Sequence, residues 1–250
     1  MKFDYCTIVF NEQERDFLPL HLNSLNFFSK WENFNIKVCV VEGDSATIEY
    51  CKRFPVEIIE VPIYVQHFKQ GGCNNACFDN ANRLDILVRA CSSSWVVVSH
   101  LDIVYRGSLL NVLKQCDLKN GAVGNWKEGL LVVNREAYLN CHLGFWPCAA
   151  LKAVDMKSFV RLHGHYCNES GAKSVEGVDV GDFFIIEMQG LGYYWDRSIS
   201  TIYNTYEHIG EQSGHSLLCI NPPDEKQIER KKQDILNRKQ AAIKNYGRFL

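Results

Sequence analysis

A histidine and an aspartate interrupt an otherwise apolar stretch near the middle of the chain. His100 and Asp102 follow the apolar run Trp95–Ser99 and are separated only by Leu101. Alternate residues of an extended segment point to the same side, so the imidazole and the carboxylate are predicted to lie together. Burying an unpaired carboxylate is costly, and Asp102 must therefore be hydrogen-bonded, ion-paired or bound to a cation. A carboxylate that holds Mg²⁺ or Mn²⁺ could neutralise a departing diphosphate, whereas a salt-bridged strand end is the plainer interpretation.

Two acidic turns follow earlier apolar segments. Asn11 and Glu12 come directly after the first segment, where such residues usually form a turn and a helix start. The second segment is followed by Asp44, within an acidic turn that contains glycine. The carboxylate of Asp44 could begin a helix or accept hydrogen bonds from a base or a ribose. The residues alone leave both interpretations open.

A histidine in the last third of the chain is a candidate metal ligand. His208 follows an extended segment and opens a loop with Gly210 and Gly214, whose backbone could approach phosphate groups closely. Imidazole binds Mn²⁺ better than Mg²⁺, so a histidine ligand would favour Mn²⁺. A lone histidine is more often structural, and His208 by itself does not decide between the two roles.

These candidates need a sheet to bring them together. Short apolar segments alternate with longer segments of helical periodicity, which predicts an α/β fold with a mainly parallel sheet and right-handed crossovers. Ligands bind such sheets at the carboxyl ends of the strands, where the candidates lie. The predicted strands are Tyr5–Phe10, Ile36–Val41, Val56–Val61 and Trp95–Ser99, and the predicted helices are 17–28, Ser45–Phe54 with Ser45 as N-cap, and Asn74–Ala90.

The second half of the chain is less regular. Glycine-containing stretches interrupt it, and the polar loop His163–Val178 is predicted to face a substrate. From Pro223 onward the sequence predicts a charged helix. The remaining predicted elements are the helices Ser108–Cys116, Met156–Leu162 and Asp179–Gly190, the strands Gly129–Asn134 and Ala149–Val154, and the extended segment Tyr193–Ile199.

Composition excludes several classes of protein. With 250 residues, 46% of them hydrophobic and 22% charged, the chain can bury a large core. A net charge of -2 gives no field that would gather nucleic acid. Eleven cysteines without a signal peptide predict buried thiols rather than a disulfide framework. No apolar run approaches the roughly 20 residues of a membrane span, so the prediction is a cytoplasmic protein that is at most peripheral at a membrane.

Together these motifs resemble those of the GT-A glycosyltransferases, most closely the inverting family 2 type. The similarity extends over nearly the whole chain. Thr7–Glu12 resembles the family's first strand and donor-binding turn, and Asp44 stands in its nucleoside-binding acidic loop. His100-Leu101-Asp102 occupies the place of the family's Asp-x-Asp metal motif, with His in place of the first Asp. The resemblance implies a metal ion held by Asp102, His208 and His100, and a nucleotide-sugar donor bound by Phe10, Asn11, Glu12, Asp44, Asn82, Arg83, His100, Leu101 and Asp102.

The resemblance also implies a catalytic base. Glu176–Phe184 resembles the acidic helix start that supplies this base in the family, and the spacing fits Asp179 or Asp182, with Asp179 favoured because it is nearer the predicted helix start. In an inverting reaction the carboxylate removes the proton of the acceptor hydroxyl. Acidic residues are also common at helix starts because of the helix dipole. Trp126 and Phe145-Trp146 lie where the family binds its acceptor, and core packing is an equal alternative for them.

The predicted organisation is one GT-A catalytic domain over residues 1–222 and a charged helix over 223–250. The domain divides into a nucleotide-sugar-binding half, 1–105, and an acceptor-binding half, 106–222. The implied activity is sugar transfer to a saccharide, lipid-linked or protein acceptor, with Mn²⁺ favoured over Mg²⁺. A catalytically inactive GT-A-like nucleotide- or glycan-binding module is the alternative, and a sugar nucleotidyltransferase is disfavoured because no glycine-rich basic loop follows the first strand. The C-terminal helix is predicted to pack on the domain, on a dimer partner or on an anionic membrane.

Overall fold

A seven-stranded sheet and a separate two-stranded ribbon organise the chain. The computed structural model describes residues 3–63, 75–117, 119–146, 180–196, 202–209 and 225–250. The strands are β1 (Phe3–Val9), β2 (Phe34–Val41), β3 (Val56–Val61), β4 (Trp95–Ser99), β5 (Ile103–Tyr105), β6 (Asn120–Asn125), β7 (Leu130–Asn134), β8 (Tyr194–Asp196) and β9 (Tyr206–His208).

The large sheet is mixed, with its parallel strands on one side. Its order is β3-β2-β1-β4-β7-β6-β8. Strands β1 to β4 run parallel, whereas β7 is antiparallel to both its neighbours and β8 is parallel to β6. Every residue of β1 and β4 is buried, as expected of strands covered on both faces. The predicted mainly parallel α/β sheet, with Trp95–Ser99 at its centre, is confirmed.

Helices pack against the sheet in two hydrophobic cores. Because side chains alternate along a strand, Tyr5 enters one core with Leu22 and its neighbour Cys6 enters the other with Leu84. The helices are α1 (Glu12–Arg15), α2 (Leu18–Ser29), α3 (Ser45–Cys51), α4 (Asn75–Arg89), α5 (Leu109–Leu113), α6 (Arg135–Asn140), α7 (Asp182–Gly190) and α8 (Glu225–Tyr246).

Several predicted boundaries differ from the structure. Helix α3 is capped by Asp44 rather than Ser45, because the Asp44 carboxylate accepts the Thr47 N–H bond. The helix predicted to begin at Asp179 begins at Asp182. Of the described part of the extended segment predicted after α7, residues 193–196, the last three form β8. The predicted elements Ala149–Val154 and Met156–Leu162 and the loop His163–Val178 lie outside the described residues.

The C-terminal helix packs on the domain. Ile235 and Ala242 of α8 are buried. Phe249, in the 3-10 turn that follows α8, makes edge contacts with Phe27 and Phe28 of α2. Packing on the domain is therefore observed, and it was one of the three predicted roles of this helix. Among the described helices, none has both the length and the apolar sequence that a membrane crossing requires.

A buried hydrogen-bond network ties α2 to β1 and β5. The His21 ring contacts the Ile103 carbonyl through Nδ1 at 2.9 Å and the Tyr5 hydroxyl through Nε2 at 2.7 Å. A carbonyl only accepts, so Nδ1 carries the proton and Nε2 accepts from Tyr5. Tyr5 in turn contacts the Tyr105 hydroxyl at 2.8 Å. The ring is therefore held neutral.

Neutral His21 makes the fold sensitive to acid. Burial lowers the pKa of His21 to about 4, against its ordinary value of 6.5. Between these values the unfolded chain binds a proton that the folded chain excludes, so stability falls as pH drops through this window. The expected loss from this group is about 3 kcal/mol at 1.4 kcal/mol per pKa unit.

Chemical denaturation from pH 7 to pH 4 measures this loss. A His21→Asn variant keeps a donor near Nδ1 but has no titrating ring, so its stability should decline less steeply over the same range. Equal slopes for the two proteins would contradict the role of His21.

Candidate metal and donor site

A short two-stranded ribbon brings His208 beside Asp102. Strand β5 begins directly after Asp102 and pairs antiparallel with β9, which places Ile103 opposite His208. The Ile209 N–H donates to the Asp102 carbonyl at 2.8 Å, extending the pairing past the strand end. Residues more than a hundred positions apart thus meet at the carboxyl end of β4, the edge where α/β sheets bind ligands.

Two imidazoles and one carboxylate converge at this edge. Oδ1 of Asp102 lies 3.8 Å from Nδ1 of His100 and 3.2 Å from Nε2 of His208. The ligand atoms of all three residues lie within 4.8 Å of one another. Asp102 is only 6% exposed, and Leu101 between the first two residues is buried in the core. The three predicted ligands therefore lie together.

The donor set fits a divalent transition metal. Burial lowers the pKa of His208, but hydrogen bonding and attraction to Asp102 outweigh burial, so the pKa is raised above its ordinary value. The buried Nε2 atom of His208 faces Oδ1 of Asp102 at 3.2 Å. A metal ion would replace the proton that this arrangement attracts. Two imidazoles with one carboxylate suit Mn²⁺ and its neighbours better than Mg²⁺.

Gly129 supports both histidines. Its carbonyl accepts the His100 N–H at 2.7 Å. It has a φ of +96°, and a Cβ atom there would lie 2.9 Å from Ile103 and 3.1 Å from the His208 ring. Trp126 contacts the other side of His100, with the ring centroids 4.1 Å apart. A residue without a side chain is thus required behind the two candidate ligands.

A Gly129→Ala variant is expected to weaken Mn²⁺ binding by about tenfold, the usual cost of disturbing groups that orient metal ligands. The added methyl group would also strain the backbone by about 1–2 kcal/mol. Gly192→Ala is the matched control, because Gly192 has a φ of +90° and open space around its Cα. Isothermal titration with Mn²⁺ should show weakened binding for Gly129→Ala only, and equal affinities in the two variants would contradict this role of Gly129.

The turn after β1 is built around a glutamate that sequence inspection missed. The Asn11 side chain accepts the Glu14 N–H at 3.0 Å and caps α1. The Glu14 carboxylate accepts the Phe10 N–H at 2.6 Å. Glu12 instead points outward, with its side chain 82% exposed and 3.6 Å from Arg15. The predicted donor residues Phe10 and Asn11 are therefore held by a capping arrangement, and Glu12 lies on the surface.

Asp44 lies at the carboxyl end of β2 as predicted. Its carboxylate accepts the Thr47 N–H at 3.0 Å and the Thr47 hydroxyl at 2.6 Å. Burial raises the pKa of Asp44, but these hydrogen bonds and attraction to Arg15 lower it on balance. Arg15 lies over the Tyr50 ring at 5.5 Å, and its position next to Asp44 was not anticipated from the sequence. The turn keeps Asp44 ionised.

Arg83 lies beneath the donor edge rather than on it. It is fully buried, pairs with Asp79 at 2.6 Å, and donates to the Val40 carbonyl at 3.1 Å. Its guanidinium lies 5.6 Å from the centroid of the Phe10 ring. Asn82, its neighbour on α4, is half-buried. Arg83 thus ties α4 to the end of β2 and supports Phe10 from below.

The candidate base Asp182 shares a cavity with Trp126, the residue that packs on His100. It is the first residue of α7 and is half-buried. Asp182 and Trp126 line the same cavity of about 10 Å³, enough for about one water molecule, together with Asn125 and Trp195. Asp179, the other candidate, lies outside the described residues.

The predicted acceptor-facing aromatic residues belong to the core in the described chain. Trp126 and Trp146 are each 7% exposed, and Phe145 is fully buried. The loop that leads into Phe145 and Trp146 is fixed by Glu187, whose carboxylate accepts the N–H bonds of His142, Leu143 and Gly144 at 2.9–3.1 Å. This buried glutamate on α7 gave no signal in the sequence.

Comparisons with known proteins bear on the fold. Neither protein-family models nor curated proteins match the chain. An active-site mutant of the galactosyltransferase LgtC is 12% identical, with a TM-score of 0.51 over 92% of this chain and 94% of that one. The mannosyltransferase PcManGT from Pyrobaculum calidifontis is 14% identical, with a TM-score of 0.52 over 98% of this chain and 74% of that one. The chain has the GT-A fold.

This result confirms the predicted fold class, including the C-terminal helix. At these identities the likeness concerns the fold alone. Within the GT-A fold of this chain, His100, Asp102 and His208 lie beside the end of the central strand β4. Phe10 and Asp44 follow the two adjacent parallel strands, β1 and β2. The GT-A sheet therefore directs the predicted donor turns and the metal candidates to one edge.

Proposed function

We propose that this protein is a glycosyltransferase that uses a nucleotide-diphosphate sugar as donor. The observation that carries the proposal is the cluster of His100, Asp102 and His208 at the carboxyl edge of a GT-A sheet. PcManGT, which shares the fold, was solved with GDP-Man and Mn²⁺, and this supports a nucleotide sugar and a divalent ion here.

The donor half is residues 1–105 and the acceptor half 106–222. Phe10, Asn11 and Asp44 line the nucleoside position, because they end adjacent parallel strands. Glu12, Asn82 and Arg83 complete this half, Arg83 through its contact with Phe10.

The metal is held by Asp102, His208 and His100, and we infer that Mn²⁺ is preferred. When bound, it supplies Lewis-acid neutralisation of the leaving diphosphate. Only one of its three ligands is anionic, so hard Mg²⁺ gains little from this set. Competition between Mn²⁺ and Mg²⁺, followed by the electron paramagnetic resonance of free Mn²⁺, tests the preference. Equal affinities would overturn it.

The reaction is an inverting transfer with an aspartate base, either Asp182 or Asp179. The carboxylate takes the proton of the acceptor hydroxyl while the oxygen of that hydroxyl bonds to the anomeric carbon. The bond from that carbon to the diphosphate breaks, and its electron pair leaves with the nucleotide. Asp182 is supported by its position at the start of α7, in a cavity also lined by Trp126, the residue that packs on His100. The acceptor is a saccharide, a lipid-linked glycan or a protein.

Thermal denaturation with a panel of nucleotide diphosphates, with Mn²⁺ and with chelator, tests the donor site. At least one nucleotide should raise the melting temperature, and chelator should reduce the shift, because ligands of the native state stabilise it. Absence of any shift would contradict the donor site. Binding without turnover of the matching nucleotide sugars would favour an inactive nucleotide-binding module instead.

The C-terminal helix is proposed to contact an anionic membrane that holds a lipid-linked acceptor. Leu236, Ile243 and Leu250 are exposed and recur every seven residues. Residues 225–250 contain eight Lys or Arg and three Asp or Glu, which complements anionic lipid. Flotation with anionic but not neutral vesicles is expected. Failure to float, or a dimer in sedimentation that buries this stripe, would overturn membrane contact.

A further inference from the structure

Strand β9 is held on its outer side by the C-terminal helix. Glu207 accepts a hydrogen bond from Arg106 Nη1 at 3.0 Å and another from the Tyr246 hydroxyl at the end of α8. Arg106 also donates to the Tyr206 carbonyl at 3.4 Å. The last turn of α8 therefore reaches the strand that carries His208.

The geometry of the strand links this contact to the metal ligand. Glu207 directly precedes His208, so the two side chains point to opposite faces of the ribbon. Tyr206 shares the inner face with His208, where its hydroxyl donates to the Glu128 carbonyl at 2.9 Å. Because β9 pairs with β5 over three residues, extended by the N–H bonds of Arg106 and Ile209, side-chain contacts contribute to the position of this short strand.

Helix α8 is itself fixed at separate points. Lys239 forms an ion pair with Asp16, directly after α1. Beyond the helix, the Phe249 carbonyl accepts a hydrogen bond from Asn23 of α2 at 2.7 Å. The helix therefore connects Asp16, directly after α1, to β9 and can hold Tyr246 in a defined place.

We propose that Tyr246 and Glu207 are positioning residues for the metal site, with α8 acting as a strut that keeps His208 opposite Asp102. This inference rests on the proposed function, because it assumes that His208 binds the metal. It adds that the affinity for the metal depends on a helix outside the catalytic domain. Neither Tyr246 nor Glu207 contacts the metal ligands' side chains in the described structure, so both act through the backbone of β9.

Tyr246→Phe tests the inference without changing charge. Loss of one hydroxyl from a partly exposed ring should move the melting temperature by less than about 3 °C, as for one net hydrogen bond. The affinity for Mn²⁺ alone should fall by about three- to tenfold, as for other groups that orient metal ligands. Glu207→Gln, which can still accept both hydrogen bonds, should bind Mn²⁺ more tightly than Glu207→Ala.

Lys239→Gln is the matched control. It removes another anchor of the same helix but leaves the contacts of β9 intact, so its affinity for Mn²⁺ should fall by less than that of Tyr246→Phe. Equal affinities in Tyr246→Phe and the wild type would overturn the inference while leaving the metal site standing. An equal loss in Lys239→Gln and Tyr246→Phe would also overturn it, because the effect would then come from helix docking in general. A wild-type chain that binds no Mn²⁺ would overturn the metal site and this inference with it.

Discussion

Replacing Asp102 with Asn is expected to lower kcat/KM by roughly 10³-fold, the scale of about 4 kcal/mol of lost charge stabilisation in the transition state. Asp102 is the one anionic residue of the proposed ligand set. Asparagine keeps the shape of the side chain and removes the charge that both holds the metal and attracts the proton on His208. Turnover with the matching nucleotide sugar and a titration with Mn²⁺ measure the two losses.

The same variant has a readout that needs no ligand. Asp102 raises the pKa of His208 against the opposing effect of burial. In Asp102→Asn only burial and the more distant Glu128 remain, so the pKa of His208 should fall. Nuclear magnetic resonance of the imidazole over a pH series follows this change directly. An unchanged pKa would mean that the 3.2 Å contact between the two side chains does not form in solution.

Asp4→Asn serves as the control for burial. Asp4 is 1% exposed and accepts the N–H bonds of Ser92 and Ser93 at 2.7 Å, at the amino end of β1, opposite the metal edge. Its replacement should lower stability by about 1–3 kcal/mol and leave Mn²⁺ affinity unchanged. Full turnover by Asp102→Asn, or an equal loss of Mn²⁺ affinity in Asp4→Asn, would contradict the assignment of Asp102.

Strands bounded by prolines or polar residues could be predicted closely. Val56–Val61 and Trp95–Ser99 have the predicted bounds, because Pro55 and Pro62 flank the first run and Ser94 and His100 flank the second. The direction of β7 relative to β4 carries no such local signal. It depends on pairing across the sheet, which only the tertiary structure determines. The alternation of strands and helices therefore predicted the parallel half better than the antiparallel half.

Some residues of the candidate site could be predicted from the sequence, and others could not. Asp102 and His208 could be found because a carboxylate and an imidazole stand out beside apolar strands. Glu14 and Arg15 could not, because both resemble ordinary helix residues and their roles depend on folding back onto Phe10 and Asp44. Arg83 was predicted to bind the donor, and the ion pair that buries it with Asp79 could not be predicted. Long-range contacts decide the roles of such residues.

His100 stands where the Asp-x-Asp motif that this segment resembles has its first aspartate, and this difference has a chemical consequence for donor binding. A divalent ion with two neutral imidazoles and one carboxylate keeps a net positive charge, which a second aspartate would have cancelled. We therefore expect the diphosphate itself to contribute much of the metal affinity, so metal and nucleotide should bind more tightly together than apart. Trp126 packs on His100 and also lines the cavity at Asp182.

The second large effect is expected for Asp182→Asn. The amide cannot accept a proton from the acceptor hydroxyl, so kcat should fall by about 10²–10⁴-fold, the usual contribution of a general base. Donor affinity should stay within about twofold, because Asp182 is not among the proposed metal or donor residues. Initial rates of transfer and nucleotide binding, measured on the same preparation, distinguish the two quantities.

Asp179→Asn is the comparison that decides between the two candidates. If Asp182 is the base, Asp179→Asn should retain most turnover, and the reverse pattern would move the role to Asp179. Similar mild effects of both variants would remove the aspartate base from the mechanism. The anomeric configuration of the product is an independent constraint, because direct attack assisted by a base inverts it. Retention of configuration would exclude this single-displacement mechanism even if Asp182→Asn abolished turnover.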